Sequence, residues 1–427
     1  MKKLFIILCG VLLCIPAFSQ SEENSLTIGA QIRPRAEYRN GAMAPLGEND
    51  DPVSLINNRA RLSMEYKREK LSLGFSAQQV GVWGQASGTE LDGTAMINEA
   101  WANLGLGNGF FLKLGRQALS YDDDRLLGTL DWHVSGRFHD AMKIGYEDSK
   151  NKVHFIWAYN QNGDKLGAGK GGNFYTGGQP YKTMQTLWYQ LIADKSFNAS
   201  FLIMNVGRQA GNASDPDVKR EVKKLQTFGT NLSYQASGFQ LYGTLYFQSG
   251  KTLGDQDISA YMWALNASYA FNPVWKVTLA SDYLSGNDGA SDKYKAFDVL
   301  YGTHHKFYGT MDYYYPNFTR GLWDNQLGVT FKASPKVTLA LNCHSFKTTT
   351  DVTVDVEQDK QSRSLGSEMD FQLTWNIMKD VTLVGGYSAM FGKDAMKVVK
   401  GVPDAKGRQD WLWVSLNVNP KVLITKW

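Results

Sequence analysis

Apolar and polar residues alternate one for one along most of this 427-residue chain. From Leu26, one face reads Leu26, Ile28, Ala30, Ile32, Pro34, Ala36 and Tyr38. The other reads Thr27, Gly29, Gln31, Arg33, Arg35, Glu37 and Arg39. Ala60, Leu62, Met64 and Tyr66 then alternate with Arg59, Arg61, Ser63, Glu65 and Lys67. The same period returns at 239–248 and at 411–418, where Leu412, Val414 and Leu416 alternate with Trp411, Trp413 and Ser415. A period of two places successive side chains on opposite faces of a strand, so the pattern predicts strands with one dry and one wet side.

Alternation does not say which side faces in, because soluble sandwiches and membrane barrels share it. The connections discriminate. Short turns at 67–70, 105–108, 148–151, 194–196, 236–238, 272–273, 334–335 and 378–380 alternate strictly with long polar stretches. Those stretches are 40–54, 84–94, 161–180, 208–222, 286–321, 347–364 and 393–408. A barrel with short periplasmic turns and long extracellular loops must sort its connections this way, and a sandwich has no reason to. The prediction is therefore an all-β protein, a transmembrane antiparallel β-barrel of about 18 strands. It must close, since an open edge in lipid leaves backbone groups unpaired. Trp83, Trp188, Tyr269, Trp275, Trp375 and Trp411 lie near segment ends, as interfacial girdles do. The terminal Trp427 suits a signal read by the barrel-assembly machinery.

The first residues change the compartment. MKKLFIILCGVLLCIPAFSQ sets two lysines before an apolar run, then Ala17-Phe18-Ser19 as a small-residue cleavage site. This predicts a signal peptide at 1–19 and a single barrel domain at 20–427, in the outer membrane of a Gram-negative bacterium with its lipid as solvent. A lipoprotein signal is excluded, because Leu13 precedes Cys14 and Leu8 precedes Cys9. Cleavage leaves Cys343 alone, so no intrachain disulfide and no cysteine metal site is expected. No linker divides the chain, and no later run of 18 apolar residues predicts a membrane helix. Without Lys2 and Lys3 the mature chain holds 43 basic against 41 acidic residues, a balance that argues against nucleic acid as a partner.

The wet face carries the candidate chemistry. Arg33, Arg35, Arg39, Arg59, Arg61 and Lys67 dominate it in the first two segments, with Glu37 and Glu65 between them. Adjacent antiparallel strands bring such residues together as a positive ladder, which favours anions in a low-dielectric lumen. The alternative is pairing across the lumen with Glu99, Glu368 and Asp370, and both roles fit the pattern. Segment 114–137, LGRQALSYDDDRLLGTLDWHVSGR, interrupts the alternation between strands expected at 109–119 and 137–147. It reads either as a solvated loop or as one that folds inward, bringing Asp122, Asp123, Asp124 and Arg125 to the basic wall.

The stretch LGRQALSYDDDRLLGTLDWHVSGRFHD resembles the signature of the alginate export family of outer-membrane porins. The matching positions are Gly115, Arg116, Gln117, Tyr121, Asp124, Arg125, Leu126, Gly128, Trp132, Gly136, Arg137 and Asp140. A second stretch, FDVLYGTHHKFYGTMDYY, is similar to another segment of that family through Phe297, Gly302, His305, Lys306, Gly309 and Asp312. The resemblance implies an 18-stranded barrel whose arginine-rich conduit passes an anionic uronate polymer or saccharide. Arg116, Asp124, Arg125, Arg137, Asp140 and Lys143 are expected to line the pore or touch the substrate beside the ladder residues. Periplasmic secretion partners are a further expectation. This chain is shorter than the best-known member type.

Other motifs lead elsewhere. GAGKGG at 167–172 matches a glycine-rich pattern but lies in a long connection with no helix to follow. His133, His139, His304 and His305 lack ligand spacing, and SGNDGASD at 285–292 lacks the features of a calcium loop. No GxSxG, HExxH or CxxC occurs, so neither a cofactor, a metal nor an enzymatic activity is expected. The rival readings are a general or small-anion diffusion porin without polymer specificity, and a barrel enzyme or adhesin.

Overall fold

The computed structural model describes residues 24–85, 95–163, 173–211, 221–314 and 318–427. The expected signal peptide and the glycine-rich 167–172 lie outside them. The described residues form nineteen strand segments. They begin β1 (Ser25–Asn40), β2 (Val53–Arg68), β3 (Leu71–Val82), β4 (Ala95–Gly107), β5 (Phe110–Gln117), β6 (His139–Glu147) and β7 (Asn151–Tyr159). Next come β8 (Thr183–Ile192), β9 (Phe197–Gln209), β10 (Val222–Ala236), β11 (Phe239–Lys251), β12 (Asp257–Ala270) and β13 (Trp275–Leu284). The series ends with β14 (Leu322–Lys332), β15 (Val337–Asp355), β16 (Lys360–Met378), β17 (Val381–Gly392), β18 (Arg408–Val418) and β19 (Lys421–Lys426). A single-turn 3₁₀ helix spans His304–Lys306, and helix α1 spans Asp394–Lys400. No described helix is long and apolar enough to cross a membrane.

Each strand from β1 to β17 pairs antiparallel with the next, and β1 also pairs with β18 and β19, so the sheet closes on itself. β18 and β19 are two halves of one stave, broken at Asn419-Pro420. Proline has no N–H to give the ladder, and the register slips opposite it between Ile28 and Gly29. The result is a closed barrel of 18 staves. Its seam is tied by reciprocal backbone bonds between Asn24 and Trp427.

All eight short turns fall at the end of the barrel where Asn24 and Trp427 lie. At the other end the strict alternation fails twice. β11 and β12 are joined by residues 252–256 alone, and 347–364 is strand for most of its length. The Thr- and Val-rich run TTTDVTV carries β15 past the barrel rim, where Val352 pairs with Ser362 on β16. β-branched residues fit such a strand well, whatever their polarity.

The dry face points outward. Leu62 is 55% exposed, Ile203 59% and Leu279 60%, while their sequence neighbours Arg61, Leu202 and Ala280 turn inward. Exposed apolar side chains in such a continuous band are stable only against hydrocarbon. Trp83, Tyr269, Trp275 and Trp375 share that outer surface. Trp188 and Trp411, expected in the girdles, are instead buried inside the barrel. They sit at the opposite parity, and inward loops cover them.

Those loops, 118–138 and the described part of the second, 285–314 with 318–321, enter the barrel and fill part of it. Many inward residues of β7 to β9 are apolar here: Ile156, Met184, Met204 and Val206 form one buried cluster with Leu119, Tyr121, Leu126 and Leu127. The lumen is therefore packed on this side and polar on the side of β1 to β3.

Candidate functional site

The basic wall is built by register. Arg33 on β1 faces Arg59 on β2, Gln31 faces Arg61, and Arg35 faces Asn57. Directly opposed residues of an antiparallel pair share a face, and Arg35, Asn57 and Arg59 are buried where Ile32 and Leu62 are exposed, so this face is the inner one. Glu37 keeps the neighbouring guanidiniums apart in a fixed array. It accepts from Arg35 Nε at 2.8 Å, Arg39 Nε at 2.8 Å, Asn57 Nδ2 at 2.5 Å and Trp411 Nε1 at 3.1 Å.

Loop 118–138 lays its far half along this wall. Arg33 Nη1 donates to the Asp131 carbonyl at 2.7 Å and Nη2 to the His133 carbonyl at 3.0 Å. Arg35 Nη1 donates to the Trp132 carbonyl at 3.1 Å, and Gln78 Nε2 to the Ser135 carbonyl at 2.7 Å. The Trp132 ring lies 3.9 Å beneath the Arg35 guanidinium, stacks on His305 at 3.7 Å and meets Trp411 edge-on at 5.5 Å. Burial lowers the His133 pKa, and the charges of Arg35, Arg137, Arg33 and Arg39 lower it further. Arg35, Arg39, Trp132, His305, Asp312 and Trp411 border a cavity of about 410 Å³. Cations and aromatic rings thus face one enclosed space.

The contact with the wall is made by 131–135 and not by Asp122 to Arg125. The loop crosses the barrel, and its early residues dock on the opposite side. Asp122 accepts from Trp188 Nε1 at 3.1 Å and from Ser200 Oγ at 2.5 Å. Asp124 accepts from Ser120 Oγ and lies 3.7 Å from Lys306 Nζ. Arg125 is enclosed, paired with Asp123 at 2.7 Å and with Asp282 at 2.9 Å. Burial works against its charge, but Asp282 and Asp123 outweigh it and raise its pKa well above the usual value. Arg125 and Asp124 are fastenings rather than lumen surface.

The two family-like stretches meet in space. Leu127 and Tyr301 form a parallel bridge, and Arg137 Nη1 donates to the Gly302 carbonyl at 2.8 Å. A Cβ on Gly302 would collide with the Arg125 carbonyl, and one on Gly128 with Thr303, so both positions need glycine for the backbones to touch. Glu368 and Asp370, expected opposite the arginines, hold the second loop instead. Glu368 accepts from Met311 N at 2.9 Å and Asp370 from Thr310 Oγ1 at 2.5 Å, both buried.

The remaining expected residues divide by parity. Glu99 faces inward and accepts from Ala118 N at 3.1 Å. Glu65 pairs with Lys67 at 3.1 Å near the short-turn end. There a cavity of about 420 Å³ also takes in Lys143, Lys113 and Trp101, with Lys113 Nζ 3.6 Å above the Trp101 ring. Arg116 and Asp140 do not reach the lumen. They share the parity of the exposed Leu114 and Ile144 and bond each other at 2.8 and 3.0 Å on the outer face. Asp131, Trp132, Asp282 and Lys113 were not singled out as site residues by the sequence. Of these only Asp131 and Trp132 lay in a stretch marked by its charge and motif.

The alginate export family matches residues 24–161 and 179–402, both inward loops included. The chain belongs to the alginate export family. No curated protein matches it. Among solved structures its fold is similar to that of several Pseudomonas aeruginosa proteins. OccK11 (OpdR) is 11% identical over 95% of this chain and 100% of the other, with a TM-score of 0.60. OpdL is 10% identical over 93% and 99%, at 0.59. The outer membrane protein OprD is 11% identical over 92% and 93%, at 0.56. At such identities the likeness is one of fold. This member of the alginate export family is an outer-membrane barrel of the channel-forming kind, and its loop-to-loop seam coincides with the stretches that resemble the family.

Proposed function

We propose that this channel passes anionic saccharides, a uronate polysaccharide among them, along the wall of Arg33, Arg35, Arg39, Arg59 and Arg61. The observation that carries the reading is the inward register of Arg33 against Arg59 with Arg35 and Arg61 beside them. Such a concentration of guanidiniums under low-dielectric walls attracts carboxylates and repels cations. Arginine suits the task because its planar fork matches a carboxylate. The aromatic surface of Trp132 beside Arg35 gives a sugar ring a face to lie against while its acid group meets the charges.

A narrower reading, a path for small sugar acids only, is favoured by the inward loops, which dock on several walls of the barrel at once. Chain length separates the two. In planar bilayers, oligogalacturonates should block the current more tightly as they lengthen, and neutral maltodextrins should not. The double variant Arg59→Ser/Arg61→Ser should weaken that block by about tenfold, equal to 1.4 kcal/mol. Block that ignores charge, or survives both substitutions unchanged, contradicts the reading.

A further inference from the structure

The carboxylate of Asp131 lies among three guanidiniums. It is 2.8 Å from Arg59 Nη2, 3.5 Å from Arg33 Nη1 and 3.7 Å from Arg61 Nη1. Its side chain is 58% exposed, whereas those of Arg33, Arg59 and Arg61 are 14%, 0% and 19% exposed. The 2.8 Å contact is an ion pair without hydrogen-bond alignment. Arg59 Nε and Nη1 are buried with no hydrogen-bond partner among the described residues. Buried guanidinium N–H groups left unmade are costly. Three cations facing one anion also leave a local excess of positive charge.

The same loop shows what a permanent fastening looks like. Arg125 gives Asp282 two aligned bonds, 2.9 and 3.0 Å, with both side chains buried. Asp131 has neither the alignment nor the burial. It is held by charge on one side and open on the other.

We propose that Arg33, Arg59 and Arg61 form a carboxylate-binding site, and that Asp131 is the chain's own stand-in for the carboxylate of a uronate residue. It occupies the site between passages and yields it to an arriving cargo carboxylate. The inference rests on the reading of the lumen as a path for anionic saccharides, and adds the station at which the acid group binds and the competitor resident there. Exchange of one carboxylate for another keeps the charge at the site constant, so the three guanidiniums are never stripped of their anion. Binding stays favourable enough to enter and weak enough to leave, as conduction requires. The exposed side of Asp131 is the side from which the incoming group approaches.

The test uses the folded barrel in planar bilayers with trigalacturonate as probe and maltotriose as neutral control. Asp131→Asn keeps the shape and removes the charge. It should tighten trigalacturonate block by about tenfold at low salt, with longer dwell times, because the competing charge is gone. Maltotriose should behave as in the wild type, and Asp131→Glu should stay close to wild type. Asp131→Ser, lacking both carboxylate and amide, should give the same gain as Asp131→Asn. The gain should vanish when Arg59→Gln is added. If trigalacturonate blocks the wild type but neither Asp131→Asn nor Asp131→Ser tightens that block, the stand-in is refuted and the wider reading survives. Equal changes for both sugars, with conductance raised for K⁺ and Cl⁻ alike, mark a merely structural role and refute it too. A wild-type channel that trigalacturonate does not block, with variants that behave alike, removes the wider reading and this one together.

Discussion

Arg125 and Asp282 join the first inward loop to the inner face of β13 by two parallel bonds, Nη1 to Oδ2 at 2.9 Å and Nη2 to Oδ1 at 3.0 Å. Phe307 of the second loop covers the guanidinium at 3.9 Å, and Asp123 supplies a second carboxylate. One arginine thus fastens both loops to the wall. Asp282→Ala should cost loop docking about 3 kcal/mol, the low end for a broken buried pair, since Asp123 remains as partner. Protease cleavage within 118–138 should accelerate accordingly. Cleavage at the wild-type rate would show that the loop is held elsewhere.

Leu62 and Ser63 test the orientation of the wall, being adjacent on β2 with opposite faces. Leu62→Arg sets a charge against lipid and should cost about 2–4 kcal/mol if it lies near the midplane. Ser63→Arg faces water inside and should be close to neutral. Urea titration of the barrel in lipid vesicles measures both, and equal costs would contradict the register.

Arg116 lies in the stretch that resembles the family, yet it faces outward in a two-bond pair with Asp140. Arg116→Ala should leave ion selectivity and saccharide block as they are. A shift in reversal potential comparable to that of Arg59→Ser would move Arg116 into the conduction path.

His304 is buried in the second loop, its Nε2–H donating to the Val299 carbonyl at 3.0 Å. Burial lowers its pKa to about 3, with Arg137 and Arg125 acting in the same direction. A depressed value favours the neutral ring, so its contribution to docking is complete above the unfolded value of about 6.5 and is lost as pH falls from there toward 3. Asp123, whose pKa burial raises, titrates in the opposite sense. The comparison with His304→Gln isolates the histidine: protease sensitivity of 285–314 should rise less steeply on acidification in the variant. Identical slopes would remove His304 from the account.

Much of the barrel was legible because lipid and water impose a period of two that local sequence cannot hide. The eight short turns and the inner position of Arg33, Arg59 and Arg61 follow from it. The rest turned on tertiary placement. Arg116 carries the right charge at the wrong parity for a lumen residue, and Gln117 beside it has the inner place. Three consecutive aspartates drew attention to 122–124, whereas a single one, Asp131, reaches the wall because the loop first crosses the barrel. Ile156, Met184 and Met204 face inward without polarity, since loop residues and not water lie against them. His154, Thr186 and Ser200 mark the inner face of β7 to β9, but the residues between them are as apolar as Phe155, Trp157 and Ile203 on the lipid side.

The central claim is that the inward arginines of β1 and β2 set the sign of what passes. Reversal potential across a planar bilayer under a steep KCl gradient reads that sign directly. The account predicts an anion-selective value that moves toward neutrality in Arg59→Ser/Arg61→Ser. A cation-selective wild-type channel would contradict it.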